Sequence, residues 1–68
     1  MMNTTTFSHM GTRFELKFET SGNKIITTMT DKKANYVVGI FHFPSNCRLS
    51  DINEHALCLA DVYMMELA

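Results

Sequence analysis

Hydrophobic and polar residues alternate strictly over residues 12 to 20, TRFELKFET, so that Phe14, Leu16 and Phe18 share one side and Arg13, Glu15, Lys17 and Glu19 the other. A period of two marks a half-buried strand, because successive side chains of an extended chain point to opposite faces. Ser21 is followed by Gly22-Asn23, which suits a two-residue hairpin since glycine takes positive φ at no steric cost. A turn there sets Ser21 against Lys24, Phe18 against Thr27 and Leu16 against Met29. One face then reads Phe14, Leu16, Phe18, Ile25, Thr27 and Met29, while the other pairs Lys17 with Thr28 and Glu19 with Ile26. Pattern and turn chemistry specify the same register.

Beyond the polar connection DKKAN, residues 31 to 35, the segment YVVGIFHF, residues 36 to 43, is β-branched and aromatic nearly throughout and predicts a third strand. Tyr36, Val38 and Ile40 alternate with Val37, Phe41 and Phe43, so neither side is suited to water. Meander order places this strand at an edge, where unpaired backbone groups invite another chain. Gly39 marks either a bulge or a close backbone approach, and Pro44 ends the strand.

A helix follows, with Asp51 as N-cap and Glu54 in the capping-box position, or Ser50 as the cap one residue earlier, and nothing breaks it before Ala68. At 100° per residue, Ile52, Ala56, Leu59, Ala60, Tyr63 and Leu67, widened by Leu57 and Met64, form an apolar stripe for the sheet. Cys58, Val62 and Met65 form a second apolar strip on the far side, flanked by the acidic Glu54 and Asp61.

The expected fold is therefore α+β: a three-stranded antiparallel β-meander with one C-terminal α-helix packed on one face, in the order β-β-β-α, forming a single small domain over residues 1 to 68. Residues 1 to 10 fit either a loose tail or a short strand around Phe7.

Composition narrows the function. Hydrophobic residues make up 46% of the 68 and charged residues 19%, which excludes disorder and implies more apolar surface than one small core can hide. An oligomer, specifically a homodimer, is expected. The chain is too short to enclose a substrate, and it carries no nucleophile elbow, phosphate loop or paired-acid constellation. No enzymatic activity, small-molecule substrate or cofactor is expected. The net charge of -1 argues against nucleic acid as the main partner. The charge is uneven, however: residues 49 to 68 hold Asp51, Glu54, Asp61 and Glu66 with no Lys or Arg, giving the helix an acidic face. There is no apolar run of the roughly 18 residues a membrane helix needs, and no signal-peptide pattern, so a cytoplasmic protein with two free thiols is expected.

Two alternatives rest on particular side chains. His42, Cys47, His55 and Cys58 fall within one 17-residue stretch, and four such ligands would suit a structural zinc. Their spacing matches none of the usual zinc-finger halves, and each has an ordinary role as strand end, loop thiol, exposed helix residue or small hydrophobe. Lys24, Lys32 and Lys33, read as a cluster at one end of the hairpin near Tyr36 and Phe41, would suit weak nucleic-acid binding, but a solvated turn accounts for them. The reading that remains is a non-catalytic protein–protein interaction module, an inhibitor or regulator of the kind that phages and mobile elements direct at host machinery. Its contact residues would be Tyr36, Val38 and Ile40 on the third strand, and Glu54, Cys58, Asp61, Val62 and Met65 on the helix.

Overall fold

The computed structural model describes residues 2 to 67. Its elements are β1 (Met2–His9), β2 (Thr12–Ser21), β3 (Lys24–Asp31), β4 (Tyr36–Pro44) and α1 (Leu49–Leu67). The strands form one antiparallel sheet in the order β1-β2-β3-β4, and α1 packs on one of its faces. The α+β class and the C-terminal helix match the expectation, but the sheet has four strands rather than three.

Of the two readings of residues 1 to 10, the structure has the strand and not the loose tail, and the strand extends well beyond Phe7. Residues 2 to 9 pair with β2 from Met2↔Glu19 to His9↔Thr12. The turn between them, Met10-Gly11, has φ of 51° and 81°, and two positive values in succession define the type I′ hairpin. The sequence conceals this strand because, among Asn3 to His9, Phe7 is the one large apolar residue, so the ladder of backbone hydrogen bonds holds β1 rather than an apolar period. Met1 and Ala68, the outer ends of the expected tail and helix, lie outside the described residues.

The β2–β3 hairpin has the register that pattern and turn imply: Ser21↔Lys24, Phe18↔Thr27, Leu16↔Met29, Lys17↔Thr28 and Glu19↔Ile26. Gly22 takes a φ of 61° while Asn23 does not turn positive, as in a type II′ turn. From this hairpin Phe14, Leu16 and Met29 are fully buried against Ala56 and Ala60, whose small side chains let the helix sit close, and Ile52 is buried beside them. Each large side chain so enclosed contributes about 1.5–3 kcal/mol of transfer free energy. Phe7, Phe18, Val38, Phe41, Leu59, Tyr63 and Met64 close the margins of the core.

Two expectations for the helix need correction. It begins at Leu49, ahead of both proposed caps, because its first turn closes on the Arg48 carbonyl, which accepts from the Asp51 and Ile52 amides at 3.0 and 3.4 Å. Asp51 lies instead within the first turn, where a carboxylate faces the positive end of the helix dipole favourably. Leu57 and Leu67, assigned to the buried stripe, are exposed, Leu67 by 62%. Leu57 lies at the border of the stripe, and Leu67 lies within it but at the last residue of α1.

Strand β4 contains a bulge. Met29 pairs with Gly39 but Thr30 pairs with Val37, so Val38 is an extra residue. The extra residue switches the side-chain alternation. Tyr36 therefore turns to the helix side along with Phe41 and Phe43, whereas Val37 and Ile40 face the open side of the sheet and are exposed. Gly39 fulfils both of its expected roles: it adjoins the bulge, and a Cβ there would stand 3.1 Å from Leu59 Cδ2.

Candidate functional site

The free edge of β4 and the adjoining flank of α1 bring together expected contact residues from both elements. An open groove of about 610 Å³ runs between them, lined by Tyr36, Val38, Leu59, Val62, Tyr63 and Glu66 among others. Its floor is set by an anchoring contact. The Tyr63 hydroxyl donates to Asp31 Oδ2 at 2.7 Å, and the Tyr36 ring stacks on Tyr63 at 6.1 Å between centroids, with planes 12° apart. Tyr36 remains 57% exposed, so one side of its ring forms part of the groove wall.

Asp31 is the buried charge of the site, and both of its oxygens accept hydrogen bonds. Besides the Tyr63 hydroxyl, its other oxygen accepts from the Lys33 and Ala34 amides at 2.9 and 3.2 Å. An aspartate accepting from amides two and three residues on is the usual means of fixing a tight turn. Here it carries the chain from β3 into β4, with Asn35 at a φ of 54° completing the reversal. The Tyr63 hydrogen bond, with help from the two amides and the nearby Lys33, outweighs burial and holds the Asp31 carboxyl below its ordinary pKa. The same hydrogen bond, together with burial, raises Tyr63 above the ordinary phenol value. Asp31 thus has a positioning role.

The nominated residues separate into three groups. Tyr36, Val38 and Val62 meet at the groove. Ile40 does not join them, because the bulge sends it to the opposite face of the sheet, 60% exposed. Glu54, Cys58, Asp61 and Met65 occupy the outward side of α1, all exposed, with Met65 at 65%. Asp61 is not free: His9 Nε2 lies 3.1 Å from its Oδ1 and ties the end of β1 to the helix.

The alternative constellations disperse. His42 pairs with Ile26 and projects from the open face of the sheet, whereas His55 lies on the helix side with its ring edge-on to Phe41 and Phe43, 4.7 and 5.6 Å between centroids. Cys47 is half-buried near the start of α1 and Cys58 is exposed on its outer side. Among the described residues, no three potential metal ligands gather. The expected lysine cluster also separates. Lys24 opens β3 while Lys32 and Lys33 follow its far end, so the strand's eight residues hold them about 25 Å apart. Lys32 is in turn drawn to Glu15, at 3.7 Å.

Two features of the site were missed in the sequence. The Asp31–Tyr63 contact joins residues 32 positions apart, and its one local sign was an aspartate opening a turn. The His9–Asp61 contact depended on a strand that the pattern did not reveal. No helix among the described residues is long and apolar enough to cross a membrane. Comparison with protein-family models, curated proteins and solved structures finds no match.

Proposed function

We propose that this chain is a small, non-catalytic, cytoplasmic protein–protein interaction module, homodimeric, that inhibits or regulates a protein partner. The observation that carries this reading is the concentration of solvent-facing apolar side chains around one uncharged sheet edge: Tyr36, Val37 and Ile40 on β4, with Val62, Met65 and Leu67 on the nearby helix, are all exposed. Patches of this kind, rimmed by polar groups such as Glu66, mark contact surfaces. The acidic residues Glu54 and Asp51 extend the surface along α1 and would steer a basic partner towards it. The dispersal of the thiols and imidazoles weighs against the zinc alternative, and the separation of the lysines weighs against nucleic acid.

The test uses the immobilised chain and a Glu54→Lys/Val62→Glu variant, compared against a lysate of the encoding organism. Both substitutions lie on exposed helix positions, so the circular dichroism spectrum should be unchanged. The expected result is one protein retained in stoichiometric amount by the parent and lost by the variant. Identical retention by both chains counts against this surface, and retention of nucleic acid that weakens with salt favours the other class.

A further inference from the structure

We infer that the free edge of β4 is an interface for a second copy of this chain, paired antiparallel about a two-fold axis at Phe41 into a continuous eight-stranded sheet. This rests on the interaction-module reading above and specifies one of its partners. The two sheet edges differ in kind. Strand β1 is mostly Thr, Ser and Asn over residues 3 to 8, a composition that water can solvate. Strand β4 carries no charged residue over residues 36 to 44 and is apolar on both sides, as expected of an interior strand. Unpaired edges of soluble proteins are usually protected by charge. The sequence has a strand suited to the middle of a sheet, and the monomer leaves it outermost.

The backbone fixes which groups are free. The Ser45 amide donates to the Asn23 carbonyl at 2.8 Å, in phase with the ladder Lys24↔Pro44, Ile25↔Phe43 and Thr27↔Phe41. Because bonded and non-bonded pairs alternate along an antiparallel ladder, Gly39, Phe41 and Phe43 bond inward to β3. Ile40 and His42 then direct their N–H and C=O groups outward, while Pro44 has no N–H and its carbonyl accepts from the Cys47 amide at 3.0 Å. The bulge at Val38 and the proline at 44 delimit the regular run to residues 39 to 43.

Within that run one self-pairing uses every outward group. With Phe41 opposite its own copy, Ile40 faces the partner's His42, and the two sites together make four backbone hydrogen bonds. Centring on Ile40 would set His42 against the bulge, and centring on His42 would set Ile40 against the donorless Pro44.

The side chains agree with this register. Gly39 falls opposite Phe43 of the other copy, so a ring covers the position that Leu59 leaves no room to fill from within. On the open face Ile40 meets His42, and no like charges are brought together. The area is consistent as well. A folded monomer of this mass exposes about 4,400 Å², whereas this chain exposes 4753 Å². The surplus is roughly half of what each partner gives to a standard interface.

Sedimentation of the untagged protein over a concentration series, with amide hydrogen exchange read residue by residue, tests the inference. The expected result is a dimer in which the Ile40 and His42 amides are protected, and a His42→Pro variant that is monomeric with an unchanged circular dichroism spectrum. Proline at 42 removes an outward donor and no ladder bond of its own sheet. Ile40→Lys on the exposed face is the second variant and should likewise give a folded monomer. A monomeric parent, a dimer with freely exchanging Ile40 and His42 amides, or folded variants that remain dimeric would each overturn it. A monomer that still retains its partner through the helix flank would refute the pairing and the homodimeric state and leave the partner-binding role standing. The described dimer with no partner would do the reverse.

Discussion

Thr27 sits at the centre of the helix-facing side of the sheet, fully buried, and its Oγ1 has no hydrogen-bond partner among the described residues. An unsatisfied buried hydroxyl forfeits its hydration without return. Thr27→Val keeps the shape and removes that penalty, so it should stabilise the chain by about 1 kcal/mol, seen as a higher urea midpoint at unchanged slope. The Asp31–Tyr63 pair makes a prediction at each end of the pH scale. Asp31 has a folded pKa below its unfolded value of about 3.9, so its contribution is complete above that value and is lost as pH falls through the folded one. Tyr63 is raised above about 10, so its contribution is complete below that value and is lost as pH rises through the folded one. Thermal midpoints across pH should therefore fall at both extremes. Tyr63→Phe should flatten both limbs, and Asp31→Asn should abolish the acid one; curves unchanged by either substitution would refute the assignment.

At the scale of elements, legibility followed the side-chain pattern. The β2–β3 hairpin could be read to the residue because Phe14, Leu16 and Phe18 alternate with charges, and because a two-residue turn at Gly22-Asn23 fixes the same pairing. Strand β1 offered neither signal. Its turn places Met10, a residue with a Cβ, at a φ of 51°, where L-residues pay about 1–2 kcal/mol. Asparagine tolerates that conformation and precedes glycine in the favoured type I′ pair. Met10→Asn should accordingly stabilise the protein by about 1 kcal/mol, measured by chemical denaturation, with the proton chemical shifts of β1 unchanged. For β4 the sequence exposed a conflict, apolar residues of both parities, and Gly39 as a sign of irregularity. The bulge resolves the conflict by dividing the parities between the two faces, and for that reason Tyr36, Val38 and Ile40 do not form one surface.

For the molecule as a whole, the consequence is an asymmetric sheet. One face is covered by α1 and the other is open; one edge is hydrophilic and the other is apolar. The principal extents of 38 × 19 × 15 Å describe an elongated body with much surface for its mass. The candidate contact surface gathers where these asymmetries meet, along β4 and the adjacent flank of α1. Half of it was legible: the apolar third strand of the sequence and the outward strip Cys58, Val62 and Met65 were both visible as residues the core did not need. That Tyr36 and Val38 would meet Val62 at one groove was not, because that depends on how the helix lies across the sheet. His55 is exposed, as it reads, but the contact of its ring with Phe41 and Phe43 was likewise not legible.

What the sequence determined by itself are the properties that short-range periodicity and turn chemistry encode: the β2–β3 register, the existence of the β4 strand and the helix, and the residues Phe14, Leu16, Met29, Ile52, Ala56 and Ala60 that form the core. What only the tertiary structure decided are the pairings that cost loop closure and leave no local trace. The fourth strand is held mainly by a backbone ladder, with Phe7 stacking on Phe14 as its apolar anchor. The Asp31–Tyr63 and His9–Asp61 contacts join distant positions through single polar atoms. The phase of the ladder determines which amides of β4 point outward, and that phase is set by the strand beside it rather than by the strand's own residues.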